Sequence, residues 1–224
     1  MIELTSLTKK YSVSDATFVG INDVSLRIDR GEFLSIVGHS GSGKTTLISI
    51  IGGILRPTTG QVLINGTDIC TLNDDALSEY RNKQIGFMFQ FASLLPILTA
   101  KENVLLPTIF DSGAPGQTVD EKKAGDYLRL VGVGEKIDSY PSQLSGGQQR
   151  RVAIARALIN EPGLILADEP TGDLDEQTEA EIMDLFKKIN REKGVTIILI
   201  THNLELAGRA NRRLRMTNGT IKEE

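Results

Sequence analysis

Apolar and polar residues alternate around Ile2 and Leu4, and again at Val24, Leu26 and Ile28, the period of a strand with one buried face. A third such stretch over residues 60–66 closes on an Asn65-Gly66 turn. These early strands are expected to pair as a small antiparallel sheet. Residues 33–37, 85–89, 163–167 and 195–200 are instead nearly continuous apolar runs, as in strands covered on both faces. Helical spacing governs Ala124, Tyr127, Leu128 and Val131, and also Ile182, Leu185, Phe186 and Ile189 behind Asp175. Residues 46–51 read as the start of one helix and 149–160 as another, and a closing hairpin turns at Asn218-Gly219. From Phe91 to about residue 118, Pro96, Pro107, Gly113, Pro115 and Gly116 punctuate the chain. The pattern predicts an α/β fold with a small antiparallel β subdomain. Residues 1–224 form one unit, with a helical insertion over about 91–160.

Composition narrows this picture. Hydrophobic residues make up 40% and charged residues 24% of 224 positions, as in a globular protein able to bury a sizeable core. The net charge is −4 with no block of Lys and Arg, so neither nucleic acid nor an anionic lipid surface is an expected partner. Cys70 is the single cysteine, which excludes an internal disulfide and fits a reducing compartment. Residues 1–5 lack the basic start and apolar run of a signal peptide, and the longest near-apolar run, 47–55, is too short to span a bilayer. Any action at a membrane is expected to go through a partner.

The chemistry centres on Gly38-His39-Ser40-Gly41-Ser42-Gly43-Lys44-Thr45, followed by Thr46. Set between a strand and a helix, it fits G-x-x-x-x-G-K-[ST], the phosphate-binding loop of nucleotide hydrolases. Gly38, Gly41 and Gly43 let the backbone curl so that successive N–H groups point at phosphate oxygens, and the helix N-terminus adds partial positive charge. Lys44 would reach the β- and γ-phosphates and the Thr45 hydroxyl would ligate Mg²⁺. His39 and Ser40 belong to the loop, but the His39 side chain occupies a variable position and is assigned no role.

A P-loop needs an acidic partner for Mg²⁺, and Asp168 stands at the end of a buried run. Glu169 beside it is the candidate to orient or deprotonate the attacking water. Gln90 could contact Mg²⁺ or that water. His202 could donate to the γ-phosphate or be an ordinary polar residue at a strand end. Tyr11 could stack on a purine or be merely half-exposed. Ser145, Gly146 and Gly147 can cap the helix behind them and leave its first N–H groups free for an anion.

With Leu144-Ser145-Gly146-Gly147-Gln148 the chain resembles the ATP-binding subunits of ABC transporters, whose signature motif those five residues match. The resemblance covers essentially the whole chain. It identifies ATP as the nucleotide, Tyr11 as the adenine-stacking aromatic and Gln90 as the Q-loop residue. It makes Asp168 the Walker B carboxylate, Glu169 the catalytic glutamate, residues 172–175 the D-loop and His202 the switch histidine. It implies a head-to-tail dimer in which Ser145, Gly146, Gly147 and Gln148 complete the nucleotide site of the second copy. Motion would pass through Gln90 to integral membrane permease subunits at the cytoplasmic face of the cell membrane. Phe89-Gln90-Phe91, Leu94-Leu95-Pro96 and the stretch 98–104 resemble the branch serving lipoprotein release, macrolide and peptide export, and cell division. Asp173 and Asn203 depart from that family's commonest residues. The competing class, soluble ABC ATPases acting on nucleic acid or ribosomes, commonly carries two ATPase units, long coiled-coil arms or basic patches, none of which this sequence shows.

Overall fold

The computed structural model describes residues 1–13, 16–110 and 120–224. Gly113, Pro115 and Gly116 therefore lie outside the described residues. Two sheets organise the chain. The smaller is antiparallel, formed by β1 (Ile2–Val13), β2 (Ala16–Ile28), β4 (Thr59–Ile64) and β5 (Thr67–Asp68) in the order β2-β1-β4-β5. The larger has the order β10-β9-β3-β8-β7-β6. Its strands are β3 (Phe33–Val37), β6 (Ile85–Met88), β7 (Leu164–Asp168), β8 (Thr196–Ile200), β9 (Arg212–Thr217) and β10 (Thr220–Glu223). All its neighbours run parallel except the terminal β9–β10 hairpin.

The unbroken apolar runs follow from how the parallel strands are covered. In β8, Ile197 and Leu199 enter one core while Ile198 and Ile200 enter the other. In β7, Ile165 and Ala167 face the first core, and Leu164 and Leu166 the second. Each successive side chain points to the opposite face, so a strand covered on both sides admits a polar residue only with a buried partner, as where the Ser35 hydroxyl of β3 donates to the Ala207 carbonyl at 3.0 Å. The second core joins the antiparallel sheet to α1 (Lys44–Ile51) through Leu47, Ile50 and Ile51. The first core packs α3 (Ala100–Ile109), α4 (Glu121–Leu130), α5 (Gly146–Leu158) and α6 (Glu176–Lys193) against the opposite face.

Helix α6 bears out its periodicity: Ile182, Phe186 and Ile189 are fully buried, Asp175 caps its first turn by accepting from the Thr178 amide, and Gly194 ends it in the left-handed region. Phe186→Ala is expected to lower unfolding free energy by about 3–5 kcal/mol, read from urea midpoints, because the cavity would lie in a continuous core.

Three features depart from the sequence reading. Helix α3 runs through the segment that Pro96 and Pro107 punctuate. Thr99 and Glu102 form a reciprocal capping box at its start, and Pro107 stands near its end, where one missing N–H interrupts little. Helix α5 begins at Gly146 rather than at 149 and ends at Leu158. Ser145 and Gln148 cap each other there, which draws both glycines into the first turn. Finally, α2 (Asp74–Gln84) and the single-turn α7 (Leu204–Ala207) have no counterpart in the sequence reading, α2 because it buries only Leu77. Among the described residues no helix is long and apolar enough to cross a membrane.

Candidate active site

The phosphate-binding loop joins β3 to α1 at the carboxyl edge of the larger sheet, where doubly wound folds hold their ligands. Gly43 opens the helix with φ +108, and a Cβ there would lie 2.3 Å from the Gly20 carbonyl oxygen. A Cβ on Gly38 would lie 2.4 Å from the Met216 oxygen, so the strand exit also admits no side chain. Lys44 folds back over the loop, its Nζ donating to the carbonyls of Gly38 at 2.7 Å and His39 at 3.0 Å. These are placeholders of the same polarity as phosphate oxygens. The Ser42 hydroxyl is buried with no hydrogen-bond partner among the described residues.

A cleft of about 750 Å³ opens above the loop. Ser40, Gly41, Ser42, Gly43, Lys44, Thr45 and Thr46 form its floor. Tyr11 stands at one wall, its hydroxyl 3.2 Å from the Thr46 hydroxyl and the Lys9 ammonium 5.4 Å from its ring centre. Phe18 lies directly across the strand pair from Tyr11 and lines the same cleft, a second aromatic where sequence reasoning found one. Its signal in the sequence is the strand-favouring pair Phe18-Val19 a few residues beyond Tyr11.

Gln90, Asp168, Glu169 and His202 line the opposite wall. Burial pushes the Asp168 carboxyl above its ordinary value, with Glu169 adding to the rise, while a hydrogen bond from Thr45 and the charge of Lys44 oppose it. A partly desolvated carboxylate bonded to a hydroxyl is the donor pair a hard divalent cation would claim. The loop's close-packed glycines, the unpartnered Ser42 hydroxyl and the Thr45–Asp168 pair fit a nucleoside triphosphate with Mg²⁺. Glu169 leaves β7 in the left-handed region, φ +47, with its amide donating to the Ile200 carbonyl. Its carboxylate meets His202, with Oε2 2.9 Å from Nδ1.

The expected residues do not all meet here. Gly38 and the exposed His39 contribute carbonyls to Lys44 but do not line the cleft. Ser145, Gly146, Gly147 and Gln148 also lie outside it, forming a separate exposed helix start. Sequence reasoning missed Arg150, which is 2% exposed and donates to the carbonyls of Phe89 at 3.2 Å and Gln90 at 2.6 Å. Its signal was its register with the buried Ile154 and Leu158, which puts an arginine on the apolar side of α5.

A lysine-bearing glycine loop facing a Thr–Asp pair, with a carboxylate and an imidazole beyond, defines the chain as a P-loop nucleoside triphosphatase. Residues 21–172 match the family described as ABC transporter, and the chain belongs to the ATPases of that family. A lipoprotein-releasing system ATP-binding protein of Rhodopseudomonas palustris is 43% identical over 222 residues, covering 99% of this chain and 98% of that protein. A macrolide export ATP-binding/permease protein of Syntrophobacter fumaroxidans is 45% identical over all of this chain, which spans 31% of it. The chain thus corresponds to about a third of the length of the macrolide export relatives it matches. A solved dimer of an ATP-binding cassette from Methanocaldococcus jannaschii, in a post-hydrolysis state bound to ADP and Pi, matches with a TM-score of 0.91. It is 43% identical, and the match covers 100% of this chain and 98% of that one.

Proposed function

We propose that two copies of this chain dock head to tail around two ATP molecules and that hydrolysis drives motion in membrane permease subunits. The observation that carries this reading is the division of the site. The cleft holds a phosphate loop, a metal-binding pair and a water-handling carboxylate, while the second anion-ready helix start, at Ser145, faces solvent elsewhere on the chain. The solved relative named as dimeric supports an assembly of two copies.

In this reading Lys44 exchanges the Gly38 and His39 carbonyls for β- and γ-phosphate oxygens, and the amides of the loop hold the rest of the phosphate chain. Tyr11 and Phe18 face the adenine. Mg²⁺, when bound, neutralises phosphate charge and fixes the phosphate oxygens; Thr45, Asp168 and Gln90 would hold it. Glu169 accepts the proton of the attacking water, and His202 keeps that carboxylate in place and donates toward the γ-phosphate. Ser145, Gly146, Gly147 and Gln148 present their helix start to the γ-phosphate in the other copy.

The permease surface is read at a second cleft of about 820 Å³, bounded by α2, β6, α3 and α5. Phe87, Leu106 and Phe110 give it an apolar lining, and Asp75, Glu79, Arg81 and Arg156 add charges of both signs, which suits an amphipathic helix. Phe89 lines this cleft and Gln90 lines the nucleotide cleft, so consecutive residues face the two sites. We read residues 1–224 as one ATP-binding unit whose helical part, about 91–160, carries this surface. The unit works at the cytoplasmic face of the cell membrane, held there by the permease. Lipoprotein release or export of macrolides or peptides is the favoured kind of work, from the relatives' names.

Ser145→Arg tests the shared site. Turnover is expected to fall about 100-fold or more, the scale of losing an anion-stabilising group, with ATP affinity of the isolated monomer unchanged. Full turnover in that variant would refute the arrangement.

A further inference from the structure

Arg150 is the largest fully buried side chain among the described residues, and its guanidinium joins three elements. Rooted in α5, it binds the Phe89 and Gln90 carbonyls through Nη1 and the Asp173 carboxylate through Nη2. Its Nε is buried without a partner among the described residues, so these contacts alone hold it. Asp173 lies four residues beyond Glu169, in the loop between β7 and α6, and its side chain is 54% exposed against 2% for Arg150. Leu174, next in that loop, packs on the start of α5, where a Cβ on Gly146 would meet it at 3.3 Å.

We propose that Arg150 and Asp173 form an ion-paired bracket that positions Gln90 and couples its loop to the one carrying Glu169. This rests on the role given above to Gln90. Because Nη1 grips consecutive carbonyls, it fixes the backbone from which the Gln90 side chain projects, at the point where one residue faces the permease cleft and the next faces the nucleotide. A buried guanidinium is stable there only with a counter-charge. Among the described residues Asp173 is the one carboxylate in an ion pair with Arg150. The acidic residue at this D-loop position is thereby given a partner and a purpose: it keeps Arg150 seated on the Gln90 carbonyl. Arg150 and Asp173 are positioning residues, acting through Gln90 rather than on the reacting atoms.

The test compares the full chain with Asp173→Asn, Arg150→Gln and the double variant by two readouts. Hydrogen exchange of residues 85–97 is followed in the nucleotide-free protein; kcat, KM for ATP and the Mg²⁺ concentration giving half-maximal turnover are measured separately. Each single variant is expected to speed exchange in that segment about tenfold and to lower kcat about tenfold, the scale of coupling between residues in contact. The Mg²⁺ requirement should rise while KM for ATP changes little. The double variant should lose no more than Arg150→Gln alone, because Asp173 acts through Arg150 and has nothing to seat once the guanidinium is gone. Should Arg150→Gln fail to fold, Asp173→Asn alters only the half-exposed partner and still decides the matter. Unchanged exchange in Asp173→Asn, or losses that simply add in the double variant, would overturn the bracket while leaving the reading of Gln90 intact. Faster exchange with unaltered kcat and Mg²⁺ requirement would instead overturn the role given to Gln90, and with it the catalytic consequence of the bracket.

Discussion

Lys44→Ala is expected to abolish measurable ATP binding, weakening affinity by at least about 100-fold. The estimate follows from the contacts being lost. A lysine ammonium bonded to two phosphate groups makes charge-assisted hydrogen bonds, each worth about 1.5–3 kcal/mol in mutational series, and alanine keeps none of them. A second effect follows from the nucleotide-free geometry. Lys44 is only 8% exposed and already bonds the Gly38 and His39 carbonyls, so the substitution also frees those two carbonyls. The variant loop should therefore be looser before nucleotide arrives, and faster amide exchange over residues 38–45 should accompany the loss of affinity. Calorimetric titration with ATP measures the first effect directly. An unchanged dissociation constant would remove the P-loop assignment, because among the described residues no other lysine or arginine lines the cleft.

The second large effect separates binding from chemistry. Glu169→Gln should bind ATP as the parent does but turn it over about 100- to 10,000-fold more slowly, the range that a positioned general base contributes. Glutamine is nearly the same size and can still engage His202 Nδ1, now 2.9 Å from the carboxylate, so the geometry of the pair should survive. What is lost is the capacity to take a proton. If ATP closes two copies on each other and hydrolysis reopens them, the variant should accumulate as an ATP-bound dimer. Size exclusion with and without ATP, alongside phosphate release, tests both halves of the expectation. A monomer under ATP with turnover near the parent value would exclude Glu169 as the base.

What the sequence disclosed depended on how local each signal was. The P-loop, the buried strands and the apolar face of α6 follow from short-range periodicity and from glycines with few alternative explanations. Helix α2 escaped notice because it buries one residue, leaving no periodic stripe to read. Helix α3 was obscured by Pro107, although Thr99 and Glu102 carried a start signal three residues apart. The site divides in the same way. Residue types and order placed Lys44, Asp168, Glu169 and His202 in one cleft, whereas the Glu169–His202 contact spans 33 positions and belongs to the packing of β7 beside β8. Asp173 stood out as a departure from the family pattern, but its partner is 23 positions away on helix α5. No periodicity connects such a pair; only the fold does.

The backbone of Glu169 carries a consequence for how this position can evolve. A left-handed glutamate costs roughly 1 kcal/mol relative to a residue at ease in that region, a burden glycine would remove. Glycine would also remove the carboxylate. Selection for a sturdier fold and selection for turnover therefore pull this one codon in opposite directions. A chain retired from ATP hydrolysis, and kept only for its shape, would be free to relax here first, trading an idle carboxylate for a turn without strain.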